Sequence, residues 1–286
     1  MISMSSIQID IIMPTWNSYT KYFPLIVARI MRILDPHHFI VIDRRSADKT
    51  VEVIKSIVPK DKLKLIKTNV DLQIARKLGA NLADTDVICF VDSDIPIPYK
   101  LKEALQQSLR LFESHSRIGA VGFSLHSFRE GEPIISYRVI RAVNSVTNKE
   151  VLYKGLNWLC RGHLFLCFIR RSLLQDWGTD PLLSAFEDFS LSQHILKKRY
   201  YWIELTSSLI HTKEVKYKGL MRFLRQGLWE GANLKILNIN TSKVLLTIFG
   251  RLIGGLIKPN LGQFITYIGY TIGYLAYPAF RVWKRR

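Results

Sequence analysis

Asp92 and Asp94 stand two residues apart in the run Phe90-Val91-Asp92-Ser93-Asp94, at the end of a continuous apolar segment. If that segment is a strand, both carboxylates can point to the same side. Such a pair can hold a hard divalent ion and still leave coordination positions for phosphate oxygens. Asp84-Thr85-Asp86 repeats the spacing, but at the opposite end of Val87–Val91. That is roughly 20 Å away at about 3.3 Å per residue, so it reads as a solvated turn. Glu187-Asp188 opens a helical pattern, where acidic residues complement the helix dipole. A carboxylate separate from the metal site is also what a transferase needs to take a proton from an acceptor hydroxyl.

The elements that would position these groups alternate. Ile7, Ile9 and Ile11 lead into Ile12 and Met13, a strand stopped by Pro14. Leu25, Ile26, Arg29, Ile30 and Ile33 have helical spacing that ends at Asp35-Pro36. A short strand, Phe39–Ile42, precedes a helix through Val51, Ile54 and Ile57, which Ser46 or Asp48 can cap. Leu63–Ile66 is a third strand, and Asp71 can cap a helix that carries Ile74, Leu78 and Leu82. Val87–Val91 is the fourth strand, apolar throughout as in strands buried on both faces. This order predicts an α/β fold with a mostly parallel, Rossmann-like sheet flanked by helices. Right-handed crossovers then bring all the strand C-termini to one rim, where open sheets bind ligands. Beyond residue 100 the expectations are a helix through Leu101–Phe112 and strands at Ile118–Leu125, Pro133–Ile140 and Leu164–Ile169. Thr147–Asn157 reads as a loop; a helix from Glu187 and a strand Tyr201–Leu205 complete this part.

Taken in order, five segments resemble the motifs of family 2 glycosyltransferases, inverting enzymes with the GT-A fold. They are Ile11–Asn17, Val41–Asp43 with Ser46, Asp48 and Thr50, Ala75-Arg76 with Gly79, Phe90–Asp94, and Glu187-Asp188. The resemblance covers roughly residues 7–215. It implies that Pro14, Thr15, Asn17 and Asp43 hold the nucleotide. Asp92, Ser93 and Asp94 would contact ribose and a Mg²⁺ or Mn²⁺ on the diphosphate, and Asp188, beside Glu187, would be the general base. Arg76 has two readings, a charge at the leaving group or a solvated helix face. His211 is either a further metal ligand, as in some relatives of this fold, or a structural histidine. Gly162-His163 stands where such enzymes shape the acceptor site.

The departures from the family pattern are specific. Asp43-Arg44-Arg45-Ser46 stands where Asp-Asp-Gly-Ser is usual, so two arginines replace a carboxylate and a glycine in the donor pocket. Asp71 replaces a usual glycine. Gln226-Gly227-Leu228-Trp229 does not match the Gln-x-x-Arg-Trp motif of processive synthases, which favours single addition.

Composition divides the chain. Its 286 residues carry a net charge of +18 and 48% hydrophobic side chains, which excludes a disordered basic tail. Residues 1–196 hold 25 basic and 20 acidic side chains, whereas residues 197–286 hold 16 and 3. Three cysteines are too few and too widely spaced for a disulfide framework, and the N-terminus lacks the pattern of a secretory signal. Val244–Ile257 and Phe264–Trp283 are apolar runs, and only the second, about 30 Å long as a helix, matches a bilayer core. Gly250, Gly254, Gly269 and Gly273 suit close helix packing, and Trp283 with Lys284-Arg285-Arg286 resembles an interfacial anchor.

The expected organisation is a catalytic domain over 1–212, with a nucleotide-sugar half to about 98 and an acceptor half from 99. A basic amphipathic segment over 213–243 and an apolar membrane-associated helical region over 244–286 follow. A re-entrant or tightly packed hairpin suits the tail better than a single span, and two buried soluble helices are the alternative. The expected partners are a nucleotide-diphosphate sugar, a lipid or glycan acceptor, and an anionic membrane at its cytoplasmic face. A polyprenyl-phosphate hexosyltransferase is a narrower reading, and a nucleotidyltransferase is another enzymatic one. A nucleic-acid-binding protein explains the charge but not a rim of carboxylates, so no nucleic acid is expected.

Overall fold

The computed structural model describes residues 7–97, 99, 102–125, 139–143, 162–179, 187–207, 224, 227, 228, 231 and 261–276. They fall into two compact units. The first comprises residues 1–153, 160–178 and 191–213, and the second comprises residues 154–159, 179–190 and 214–286.

The first unit is built on an eight-stranded sheet in the order β3-β2-β1-β4-β7-β5-β8-β6. The strands are β1 (Ile9–Thr15), β2 (Phe39–Asp43), β3 (Leu63–Lys67), β4 (Val87–Val91), β5 (Ile118–Leu125), β6 (Val139–Val143), β7 (Leu166–Arg170) and β8 (Tyr201–Ser207). β3, β2, β1 and β4 are parallel to one another, as the alternation predicts. β7 runs antiparallel to β4 and β5, and β6 antiparallel to β8, so the far half of the sheet is mixed. Of the expected strand Pro133–Ile140, residues 133–138 lie outside the described residues, as do the expected loop Thr147–Asn157 and His211.

Helices cover both faces. Ile9, Ile11 and Met13 of β1 face the cluster that contains α1 (Phe23–Leu34), α2 (Thr50–Ile57) and α4 (Lys102–Ser114), whereas Ile12 faces α3 (Leu72–Leu82). The period of two in a strand produces this division. In α1 the buried stripe is Phe23, Ile26, Val27, Ile30 and Ile33, and Leu25 is exposed. In α3 the buried side chains are Gln73, Ala75, Arg76, Gly79 and Ala80, while Ile74, Leu78 and Leu82 are half-buried. Small residues face the sheet because α3 lies very close to β1. A Cβ on Gly79 would overlap Ile12 Cγ2. Gly162 is explained in the same way, since a Cβ there would run into the Trp202 ring.

At the edge remote from the strand C-termini, Asp10 is completely buried. It accepts backbone N–H bonds from His38 (2.8 Å), Asp84 (2.6 Å) and Thr85 (3.1 Å). The Asp84-Thr85-Asp86 turn is thus a support for the β4 entrance, with Asp84 paired to Lys64 at 2.6 Å.

In the second unit, α6 (Leu261–Leu275) packs against the helical residues Leu224, Gly227, Leu228 and Gly231. Cβ atoms on Gly227 and Gly231 would overlap the carbonyls of Thr266 and Tyr270; those on Gly269 and Gly273 would overlap the carbonyls of Leu224 and Leu228. Gly269 and Gly273 therefore act as close-packing positions whose partners are Gly227 and Gly231, while Gly250 and Gly254 lie outside the described residues. The expected helix Phe264–Trp283 is described only to Leu275, and the described stretch Leu261–Leu275 is about 22 Å long. Among the described residues no helix is long and apolar enough to cross a membrane.

Candidate active site

Parallel strands in register bring the polar ends of β1, β2, β3 and β4 together. Thr15 lies beside Asp43, and Asp43 beside Lys67. The junction is tied by backbone bonds from Arg44 N–H to the Thr15 carbonyl (2.8 Å) and from Thr68 N–H to the Asp43 carbonyl (2.9 Å). A cavity of about 260 Å³ opens at this rim, lined by Pro14, Thr15, Trp16 and Arg44 together with Asp92, Ser93 and Asp94. Ser18, Thr68, Val70 and Leu72 also line it. The segment Val70–Leu72 is apolar or ordinary in type, so its place in the cavity is legible only once β3 is paired.

Asp43 does not line the cavity. It is wholly buried, and its Oδ1 accepts hydroxyl bonds from Thr15 (2.9 Å) and Ser46 (2.6 Å), while Oδ2 accepts Ser46 N–H (2.9 Å). It orders two loops. Asn17 likewise joins them: its N–H donates to Ser46 Oγ (2.8 Å) and its Oδ1 accepts Ala47 N–H (2.9 Å). Its φ of 45° is left-handed, which asparagine tolerates better than most residues. Asp48 adds two further ties, from Tyr19 N–H and Thr50 N–H, both at 3.0 Å. Burial opposes ionisation of Asp48, but the bonds from Thr50 and Tyr19 outweigh it and hold the carboxyl below its ordinary range.

Arg76 is neither a solvated face nor a cavity-lining cation. It is 1% exposed, its guanidinium lies 5.8 Å from the Phe90 ring centroid, and its Nη2 donates to Asp92 Oδ1 at 2.7 Å. This fixes the first carboxylate of the Asp-x-Asp pair. Asp92 N–H donates to the Phe165 carbonyl (2.9 Å), and Ser93 Oγ donates to Ser18 Oγ (2.7 Å), so strand, turn and loop hold the acidic run together. Asp94 is a hard oxygen donor on the cavity wall, with Asp92 beside it. That donor set fits Mg²⁺ or Mn²⁺ rather than a softer metal.

Glu187 and Asp188 open α5 (Glu187–Lys197) and belong to the second unit. Asp188 is 7% exposed, and its Oδ1 accepts Phe189 N–H at 2.8 Å.

Residues 10–178 match the family Glycosyl transferase family 2. An uncharacterized glycosyltransferase of Haemophilus influenzae is 36% identical over 89 residues, which is 30% of this chain and 36% of that protein. The chain thus aligns with about a third of that curated relative. Among solved structures, S. aureus TarS 1–349 superposes with a TM-score of 0.54 at 15% identity over 95% of this chain and 91% of that one. Glucosyl-3-phosphoglycerate synthase from Mycobacterium tuberculosis, in complex with Mn²⁺, UDP-glucose and phosphoglyceric acid, superposes with a TM-score of 0.50 at 16% identity, covering 83% and 82%. These two likenesses concern the fold. With more than half of the sequence matched by the family and the acidic rim assembled as described, the chain belongs to glycosyl transferase family 2, a family of transferase enzymes.

Proposed function

We propose that this protein transfers a single sugar, with inversion, from a nucleotide-diphosphate sugar to an acceptor hydroxyl or phosphate at the cytoplasmic face of a membrane. The observation that carries the reading is the cavity at the β1–β4 rim, which has an acidic end at Asp92–Asp94 and an aromatic and basic end at Trp16 and Arg44. An acidic end facing a diphosphate requires an intervening cation. Asp94 and the second oxygen of Asp92 would hold Mg²⁺ or Mn²⁺, and the bound metal would offset charge developing on the leaving diphosphate. Arg76 keeps the Asp92 carboxylate in position. Asp188 takes the acceptor proton, and attack from the face opposite the nucleotide inverts the anomeric centre in one displacement. S. aureus TarS, crystallised with UDP-GlcNAc, and the mycobacterial synthase, crystallised with UDP-glucose, support a nucleotide-sugar donor.

The membrane setting rests on the 16 basic against 3 acidic residues after position 196 and on the apolar α6. Together these favour an anionic surface and a lipid or lipid-linked acceptor. Nucleoside diphosphate release from a panel of nucleotide sugars with Mn²⁺ tests the chemistry; equal turnover in wild type, Asp94→Asn and Asp188→Asn would refute the site. Flotation of the full chain with anionic but not neutral vesicles tests the setting.

A further inference from the structure

We propose that Arg44, braced on Trp16, reads the nucleobase of the donor and selects bases with a keto oxygen on the reading edge, uracil or guanine, over their amino counterparts cytosine and adenine. This rests on the donor-cleft reading above and narrows it to a substrate class.

Arg44 follows the last residue of β2, and its side chain, 42% exposed, lines the same cavity as the acidic run. Two contacts fix its planar guanidinium. Nε donates to Asn69 Oδ1 at 3.2 Å, and Nη1 lies 3.5 Å from Asp71 Oδ1. The guanidinium carbon sits 5.3 Å from the Trp16 ring centroid, a cation–π arrangement that also steadies the indole. Nη2 has no partner among the described residues, so its two N–H groups are oriented but unspent. Trp16 itself lines the cavity and is 51% exposed, so its ring face is available to a planar ligand. Ile42, Val70 and Leu72 supply the apolar lining beside them.

Asp43, the carboxylate at the adjacent position, is withdrawn from this wall: both of its oxygens are occupied by Thr15 and Ser46, and it is fully buried. The charged group left for a base edge is therefore a donor. A guanidinium has no acceptor. It accordingly pairs with carbonyl oxygen and opposes an exocyclic amine, the same distinction by which arginine reads guanine O6 and N7. Uracil presents O4 where cytosine carries an amine, and guanine presents O6 where adenine carries one; the neighbouring ring nitrogen changes protonation with it, and guanine adds a 2-amine, so the atom read by a donor here is the exocyclic oxygen. A site built around a donor penalises the wrong member through an unpaired polar group.

The test is titration of the full chain with UDP, CDP, GDP and ADP in Mn²⁺, followed by calorimetry, for wild type, Arg44→Met and Arg44→Lys. The expected result is at least tenfold tighter binding of UDP than CDP, or of GDP than ADP. Arg44→Met should bring the pair within twofold, and Arg44→Lys, which keeps charge without the fork, should restore only part of the gap. Equal binding of keto and amino partners by the wild type, or a preference that survives Arg44→Met, overturns the role of Arg44 and leaves the donor site standing. Failure of all four nucleotides to bind overturns both. Circular dichroism of Arg44→Met, altered at a 42% exposed side chain, verifies that the fold persists.

Discussion

The two carboxylates of Asp92-Ser93-Asp94 should separate cleanly when each is replaced by asparagine. Asp92 accepts a charge-assisted bond of 2.7 Å from Arg76, which is 1% exposed, so Asp92→Asn removes the carboxylate facing a buried cation. Hydrogen bonds to charged groups contribute about 1.5–3 kcal/mol, and the buried arginine places this one toward the upper end. For a chain of this size that corresponds to a melting shift of roughly 3–10 °C. Asp94 lies half-buried on the cavity wall, whereas the buried Arg76 donates to Asp92, so replacing Asp94 should cost less than replacing Asp92 in the absence of metal. Urea or thermal unfolding in EDTA measures both, and a cycle with Arg76→Met isolates the pair. The coupling between positions 76 and 92 should exceed about 1.5 kcal/mol. Both asparagine variants should lose transfer activity, so only stability distinguishes them. Equal melting of Asp92→Asn and Asp94→Asn, or additive effects of Arg76→Met and Asp92→Asn, would refute the assignment of Arg76 as the positioning partner of Asp92.

Other outcomes follow from the same geometry. Gly79→Ala should cost about 1–3 kcal/mol, seen in urea unfolding, because the new methyl overlaps Ile12 and α3 must move off β1. Asp10→Ala should cost on the order of 3 kcal/mol by leaving the His38, Asp84 and Thr85 N–H groups without their acceptor. Arg45 has a φ of 49°, so Arg45→Gly should unfold no earlier than wild type; relief of about 1 kcal/mol of strain offsets the added freedom of the unfolded chain. The folded state depresses the Asp48 pKa, so its contribution is present above the ordinary carboxylate value and disappears as pH falls through the depressed one. Amide exchange at Tyr19 and Thr50 should accelerate across that acidic window and not above it.

Much of the first unit is legible in the chain because its signals are local. Alternating apolar strands and amphipathic helices define β1 to β4 and the helices between them, and the polar residue after each strand marks the rim. Asp10 gave no such signal: a lone aspartate in a strand is ordinary, and only the approach of three backbone N–H groups from two other segments explains it. Gly227 and Gly231 were inconspicuous for the same reason, since their partners lie some 40 residues further on.

The sequence by itself determined the parallel β/α half, the acidic run at its edge and the asymmetry of charge, because each depends on residue type and short-range period. Tertiary structure decided which of those polar groups face the cavity. Asp43 and Asn17, expected to hold the nucleotide, join two loops, and Arg76 donates to Asp92. Arg44, which sequence marks only as a departure from a pattern, is left facing the cleft with donors to spare. The physical reason is competition for hydrogen bonds. A buried carboxylate must be satisfied by whatever donors the packing brings near it, and that neighbourhood exists only after strands distant in sequence have paired.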